Sequence, residues 1–405
     1  MDVLFLSPGY PPEMNQFTRG LAEVGARVWG VGDSPSRALP DVVRRSLSGY
    51  LQVPSMLDED DVIGRVRAWV GGRIPDRVEG NWEPVTLLAA RLRELMGVDG
   101  MSVDAVLGFR DKVLMRQRVE AAGLSVPRTR RVHSVRGAWA AAEELGFPLI
   151  IKPIAGAGSA DTFRVDDARA FEAALAATRH VPELSIEEFI TGDEYTYETI
   201  CVRGEPAVES VCRYHPNTLI ARQNEWISPI IQSHADLTAP EVAPGVALGR
   251  AALVALGMGT GFTHMEWFRT ADGRAVFGEV ACRAPGANMV DLMNYTFDAD
   301  LFRAWGEAVA RGEVAGPLQQ RWSAAIVFKR ARGQGRIRAI EGLGPYLQRY
   351  RPHVARVDLL PIGAPRRDWK QTFLSDGNLV VRSTSLEHTL DMARQAAASI
   401  HLFAG

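Results

Sequence analysis

Two glutamates on one stretch of chain carry the strongest chemical signal. The run Phe262-Thr263-His264-Met265-Glu266-Trp267-Phe268-Arg269-Thr270-Ala271-Asp272-Gly273-Arg274-Ala275-Val276-Phe277-Gly278-Glu279-Val280 places Asp-Gly between aromatic and β-branched segments, which is a hairpin signal. With Asp272-Gly273 at the turn centre, Glu266 faces Glu279 and His264 faces Ala281. Opposed carboxylates, with Cβ atoms about 4.5–5.5 Å apart, repel. Either a nearby cation such as Arg283 neutralises them, or they share a divalent cation. Mg2+ suits the second case, because it takes hard oxygen ligands and keeps positions for substrate phosphates.

Other residues suit a phosphate-bearing substrate. Lys152 opens Lys-Pro-Ile-Ala-Gly-Ala-Gly-Ser, where Gly156, Gly158 and Ser159 let backbone N–H groups approach phosphate oxygens. It is not a P-loop, and alone it also reads as a plain flexible turn. Lys112, one residue into a helix, reads by itself as a solvated lysine. In Ile186-Glu187-Glu188-Phe189-Ile190-Thr191-Gly192-Asp193-Glu194, backbone amides could meet a purine and a carboxylate could meet ribose hydroxyls. The alternative is an edge strand with solvated acids. Glu79, Asn81 and Arg222 lie in polar stretches that read as cleft walls or as ordinary surface loops.

Positioning such groups needs an α/β framework. Val3–Leu6, a helix over Phe17–Val24 and Val28–Val31 make a βαβ start, hence a parallel sheet. The turn after the first strand lacks GxGxxG, which counts against a standard dinucleotide site. Ala105–Leu107 reads as a strand. Asp111 caps a helix to Ala122, and Ser134 starts another. Strands follow at Pro148–Lys152, Thr162–Val165 and Leu184–Phe189, with a helix over Asp167–Arg179. Residues 195–310 read mostly as strands and hairpins, closed by a helix around Leu301–Ala310. The tail gives strands at Ala324–Lys329, Arg356–Leu360 and Leu379–Arg382, then a helix capped by the Thr384 and Glu387 pair.

Composition bounds the function. The 405 residues are 46% hydrophobic, with 46 basic against 48 acidic side chains, a balance unlike a nucleic-acid protein's. No apolar run reaches the ~18 residues of a membrane helix, and the first residues lack the basic start of a signal peptide. Three cysteines without a CxxC pair read as reduced thiols in a cytoplasmic protein.

In order along the chain, these motifs resemble the ATP-grasp superfamily. They are Asp111-Lys112, Ile150-Ile151-Lys152-Pro153 with its glycine loop, and Glu187-Glu188-Phe189-Ile190 through Glu194. His264-x-Glu266 and Glu279-x-x-x-Arg283-x-Pro-Gly286 complete the set. The layout is most similar to carboxylate–amine ligases of the amino-acid-ligase and biotin-carboxylase-like branch. The resemblance implies a pre-ATP-grasp α/β domain over 1–109, an ATP-grasp domain over 110–312 with a lid at 125–185, and a β-rich subdomain over 313–405. It implies ATP held by Lys112, Lys152 and the Gly156–Ser159 flap, adenine against Glu187, Glu188, Phe189 and Ile190, and ribose at Glu194. Glu266 and Glu279 would hold Mg2+, or Mn2+ in its place. Arg283 and Lys152 would be catalytic, and Glu79, Asn81, Arg222, His264 and Arg283 would face the substrates. The reaction implied is amide formation from a small carboxylate and an amine through an acyl phosphate, with a homodimer allowed and neither nucleic acid nor membrane involved. The alternatives are a carboxylating or phosphorylating enzyme with one small substrate, or a silent nucleotide-binding scaffold. One departure stands out: Ala281 occupies the place where the family usually has an asparagine ligand, so that either His264 or water fills the gap or one metal binds more weakly.

Overall fold

The computed structural model describes residues 1–154, 161–372 and 374–405. The expected phosphate flap at Gly156, Gly158 and Ser159 lies outside these. Strands β1 (Asp2–Leu6), β2 (Arg27–Gly32), β3 (Leu47–Gln52) and β4 (Arg77–Gly80) form a parallel sheet in the order β3-β2-β1-β4. Helices α1 (Asn15–Glu23), α2 (Asp41–Ser46), α3 (Glu59–Val70) and α4 (Thr86–Met96) connect and flank it. The expected strand at 105–107 is instead part of α5 (Val103–Arg110), because Ser102 accepts a hydrogen bond from the Ala105 N–H at 3.2 Å and caps a helix there. A three-residue apolar run does not distinguish strand from helix, and the cap decides. Helix α6 (Lys112–Ala121) follows at once, with Asp111 accepting from the N–H groups of Val113 and Leu114, both at 3.0 Å.

A second sheet has the order β5-β8-β6-β7, from β5 (Thr129–Val132), β6 (Leu149–Pro153), β7 (Phe163–Val165) and β8 (Leu184–Glu188). Helices α7 (Val135–Leu145) and α8 (Ala168–Ala177) pack on it through Leu145, Phe171 and Ile186. β8 lies inside the sheet, so the edge-strand alternative for Glu187 falls.

The central sheet is antiparallel and has eight strands: β9 (Asp193–Val202), β10 (Glu205–His215), β11 (Ile230–His234), β12 (Gly261–Arg269), β13 (Ala275–Ala281), β14 (Ser323–Phe328), β17 (Val354–Leu359) and β18 (Gly377–Ser383). Their order is β13-β12-β9-β10-β11-β14-β18-β17, so strands beyond residue 313 share this sheet. A small sheet joins β15 (Arg332–Gly333), β19 (His401–Ala404) and β16 (Ile337–Glu341).

Three helices sit where the pattern suggested strands: α9 (Thr218–Gln223), α10 (Ala243–Leu256) and α11 (Met289–Phe297). In α10 apolar residues cover most faces, which blurs the helical period. α12 (Leu301–Arg311), α13 (Leu343–Tyr350) and α14 (Leu386–Ser399) complete the chain, and the cap of α14 is Ser385, which accepts from His388 N, rather than Thr384.

The parallel sheet is fastened to the central sheet through α1 and α12. A Cβ on Gly20 would lie 2.2 Å from Phe302 O, and one on Gly306 would lie 2.6 Å from Gly20 O, so both helix backbones touch because neither has a side chain there. Phe17 fills the space beside them, edge-on to Phe262, Phe302 and Trp305. One apolar core therefore runs across both sheets and holds the first 110 residues against the rest.

Candidate active site

Glu266 and Glu279 face each other across β12 and β13, and His264 faces Ala281, as the sequence implied. The route to that register differs from the expectation. Nearer the turn, Trp267 pairs with Phe277 and Arg269 with Ala275, one residue out of step with a two-residue Asp-Gly turn. The loop is wider: Thr270 N donates to Arg274 O and Gly273 N to Thr270 O. A bulge at Gly278 restores the register at the glutamates. Gly278 must be glycine, since a Cβ would lie 2.6 Å from Glu266 O.

Four cationic or acidic side chains converge beside this pair. Lys112 Nζ lies 3.4 Å from Glu279 Oε2, and Lys152 Nζ lies 3.6 Å from the same oxygen and 3.1 Å from Glu187 Oε2. Arg116 bonds Glu187 Oε1 at 2.7 Å and donates to Gly278 O at 3.0 Å, tying α6 to the bulge. Burial alone would raise the pKa of Glu279, but Lys112, Lys152 and Arg116 outweigh it and hold the carboxyl down at about 2. Glu187 is likewise held below the usual range: burial opposes, and Arg116 and Lys152 prevail. Arg116 was not singled out from the sequence, although it lies one helical turn after Lys112 and so shares its face.

Arg283 does not compensate the glutamate pair. Its Nε donates to Glu83 Oε2 at 2.7 Å, and Arg110 bonds Glu83 Oε1 at 2.8 Å. Glu83, from the parallel-sheet unit, thus clamps an arginine that follows β13. The sequence pointed instead to Glu79 and Asn81. Asn81 does line the larger cavity described below, with Nδ2 buried and unpartnered among the described residues, while Glu79 is absent from that wall.

Glu194 accepts from Thr218 N and Thr218 Oγ1, both at 2.7 Å, and burial with nearby Glu266 pushes its carboxyl up to about 8. Glu188 turns to Arg128 at 2.9 Å, and Arg164 covers the Phe189 ring at 4.2 Å. His264 Nδ1 lies 2.9 Å from Glu198 Oε1, while its Nε2 lies 3.8 Å from Glu266 Oε1. Burial would lower the imidazole pKa, yet Glu198 and Glu266 hold it up at about 9. Glu198, fully buried on β9, is a partner the sequence did not reveal, because strand adjacency across 66 residues has no local signal.

Two cavities meet here. One of about 210 Å3 is lined by Lys112, Lys152, Glu187, Glu188, Phe189, Ile190, Glu194 and Phe268. The other, of about 550 Å3, is walled by Tyr10, Trp82, Arg110, Arg222, Arg283 and Arg330 among others. Lys112, Thr218, Glu266 and Glu279 belong to both. The volumes suit small-molecule sites.

Comparison with known proteins accords with this geometry. The sequence profile of the ATP-grasp domain matches residues 109–224. An L-arginine-specific L-amino acid ligase of Bacillus subtilis is 25% identical over 236 residues, 56% of this chain and 56% of that protein. A D-alanine–D-alanine ligase of Acidovorax ebreus is 31% identical over 152 residues, 36% of this chain and 46% of that protein. These alignments span about half the length of each relative. Among solved structures, an L-amino acid ligase from Bacillus licheniformis superposes with a TM-score of 0.81 at 20% identity, covering 100% of this chain and 98% of that one. N5-carboxyaminoimidazole ribonucleotide synthetase from Thermotoga maritima gives 0.73 at 16% identity, covering 100% and 99%.

Proposed function

We infer that this chain, which carries an ATP-grasp domain on an ATP-grasp fold, is an ATP- and Mg2+-dependent ligase that joins a carboxylate to an amine. The observation that supports this best is the junction of the two cavities, where Glu266 and Glu279 stand in register and two lysine ammonium groups meet Glu279. The smaller cavity takes the nucleotide, with adenine along Glu187 to Ile190 and ribose near Glu194. The larger one takes the acid and the amine. Relatives named as L-amino acid and D-alanine–D-alanine ligases support amino acids as substrates.

A substrate carboxylate oxygen attacks the γ-phosphorus, the bond to the β–γ bridging oxygen breaks, and ADP leaves with that electron pair. The amine nitrogen then adds to the acyl carbon, the carbon–oxygen bond to phosphate breaks, and the nitrogen's proton passes to solvent. No covalent protein nucleophile is needed. Lys112 and Lys152 hold phosphate oxygens. Arg283, oriented by Glu83, stabilises charge on the acyl phosphate. Catalysis is then mostly positioning and electrostatic stabilisation.

Among the described residues no group of three or more His, Cys, Asp or Glu side chains is arranged to hold a metal ion by itself. The donor set present is a carboxylate pair, which fits Mg2+ completed by phosphate oxygens and water. That ion would supply charge neutralisation and orientation of the phosphates.

The test is ADP release with Mg-ATP against amino acids singly and in pairs, with mass spectrometry of products. Turnover requiring an acid and an amine together, and lost in Glu279→Gln, is expected. Release with a single acid or bicarbonate would move the assignment to a one-substrate enzyme. Nucleotide binding without turnover under every mixture would leave a silent scaffold.

A further inference from the structure

The larger cavity has a cationic end that the phosphate chemistry does not use. Arg330 follows β14 and donates from Nη1 to Ala221 O and Asn224 O, both at 2.8 Å, at the end of α9. The Trp369 ring lies 4.6 Å from its guanidinium carbon. Its Nε is buried and has no partner among the described residues. Arg222 of α9 lines the same cavity and donates to Lys370 O at 3.1 Å. Two acids lie near Arg330, and each also has other partners. Glu225 pairs with Arg366, and Asp376 accepts from Ala331 N and Arg367 N. Both guanidinium groups line the same cavity, and burial and then the Arg222 charge lower the Arg330 pKa to about 10 against the pull of Glu225 and Asp376. Such a pair is stabilised when an anion arrives between its members, and guanidinium groups match carboxylate geometry.

Resting on the ligase reading, we propose that Arg222 and Arg330, framed by Trp369, form a subsite for a substrate carboxylate remote from the reacting carboxyl. The occupant is the free carboxylate of the amine substrate. The wall that reads it comes from α9 and from the chain around β14 and β18, whereas the phosphate groups are met by α6, β6 and β13. The lysines that meet the phosphates are thus not part of the subsite, although α9 also borders the smaller cavity through Thr218.

The experiment is calorimetric titration of the full chain, loaded with Mg-ADP, with L-amino acids and with their C-terminal carboxamides. Free acids are expected to bind about tenfold or more tightly than amides, the size of a charged hydrogen-bonded contact. Arg330→Gln and Arg222→Gln should each bring acid and amide close to parity, with Mg-ADP affinity unchanged. Arg222→Gln serves if loss of the α9 carbonyl contacts unfolds the Arg330 variant. Comparing aspartate with asparagine and glutamate with glutamine separates a side-chain carboxylate from the α-carboxylate. Equal binding of acids and amides, binding of neither, or a preference that survives both substitutions overturns the subsite. Arg330-dependent binding without ADP release from any acid–amine pair would sink the ligase reading and leave the subsite standing.

Discussion

Two buried histidines give the protein a pH signature. Burial lowers the pKa of His234 to about 4, and burial with Arg213 and Arg394 lowers that of His215 to about 4, both from 6.5. Neither Nε2 has a partner among the described residues. Between these values the unfolded chain binds more protons at these two sites than the folded one, so their contribution to stability is full above about pH 6.5 and falls as pH drops toward 4. Each histidine contributes about 1.4 kcal/mol per pH unit in that window. A melting-temperature series from pH 7 to 4 should steepen there, and His234→Gln should flatten part of it. An unchanged slope in that variant would show that His234 is not a source of the acid sensitivity.

At the scale of elements, the hairpin of β12 and β13 shows how a local irregularity sets a site. The wide loop at 270–274 and the bulge at Gly278 each move the register by one residue, and together they leave Glu266 opposite Glu279. Gly278→Ala sets a methyl group against the Glu266 carbonyl, where a Cβ would lie 2.6 Å away. Accommodating it should cost about 1–3 kcal/mol and displace Glu279. The expected readouts are a lower melting temperature and a higher Mg2+ concentration for half-maximal ADP release. If the melting point falls but the Mg2+ dependence does not move, the bulge serves stability without tuning the carboxylate pair.

At the scale of the molecule, Glu83 links the parallel-sheet unit to the larger cavity. It is held ionised because Arg283 and then Arg110 outweigh the burial that would raise its pKa. It lines the larger cavity and not the smaller. Glu83→Gln should therefore lower turnover by about tenfold or more, equivalent to about 1.4 kcal/mol of transition-state stabilisation, while nucleotide affinity holds. A parallel loss of nucleotide affinity would place Glu83 in the general fold rather than at the acceptor end.

The sequence by itself determined the groups that act locally. The two-residue turn that put Glu266 opposite Glu279 gives way to a wider loop and a bulge with the same outcome, but Asp111 and Lys112 open a helix and Lys152 lies near the end of an apolar strand, as the sequence implied. Each of these rests on contacts a few residues apart, where spacing is geometry. Composition and the βαβ start likewise fixed the α/β class. Only the tertiary structure decided which distant groups complete the site. Glu83 meets Arg283 across 200 residues, Glu198 meets His264 across 66, and Arg330 meets the end of α9 across 106. It also decided that 105–107 is helical and that β14 and β18 extend the central sheet. Such pairings depend on how sheets and helices stack, and that is set by burial of apolar faces over the whole chain. No window of neighbouring residues contains that information.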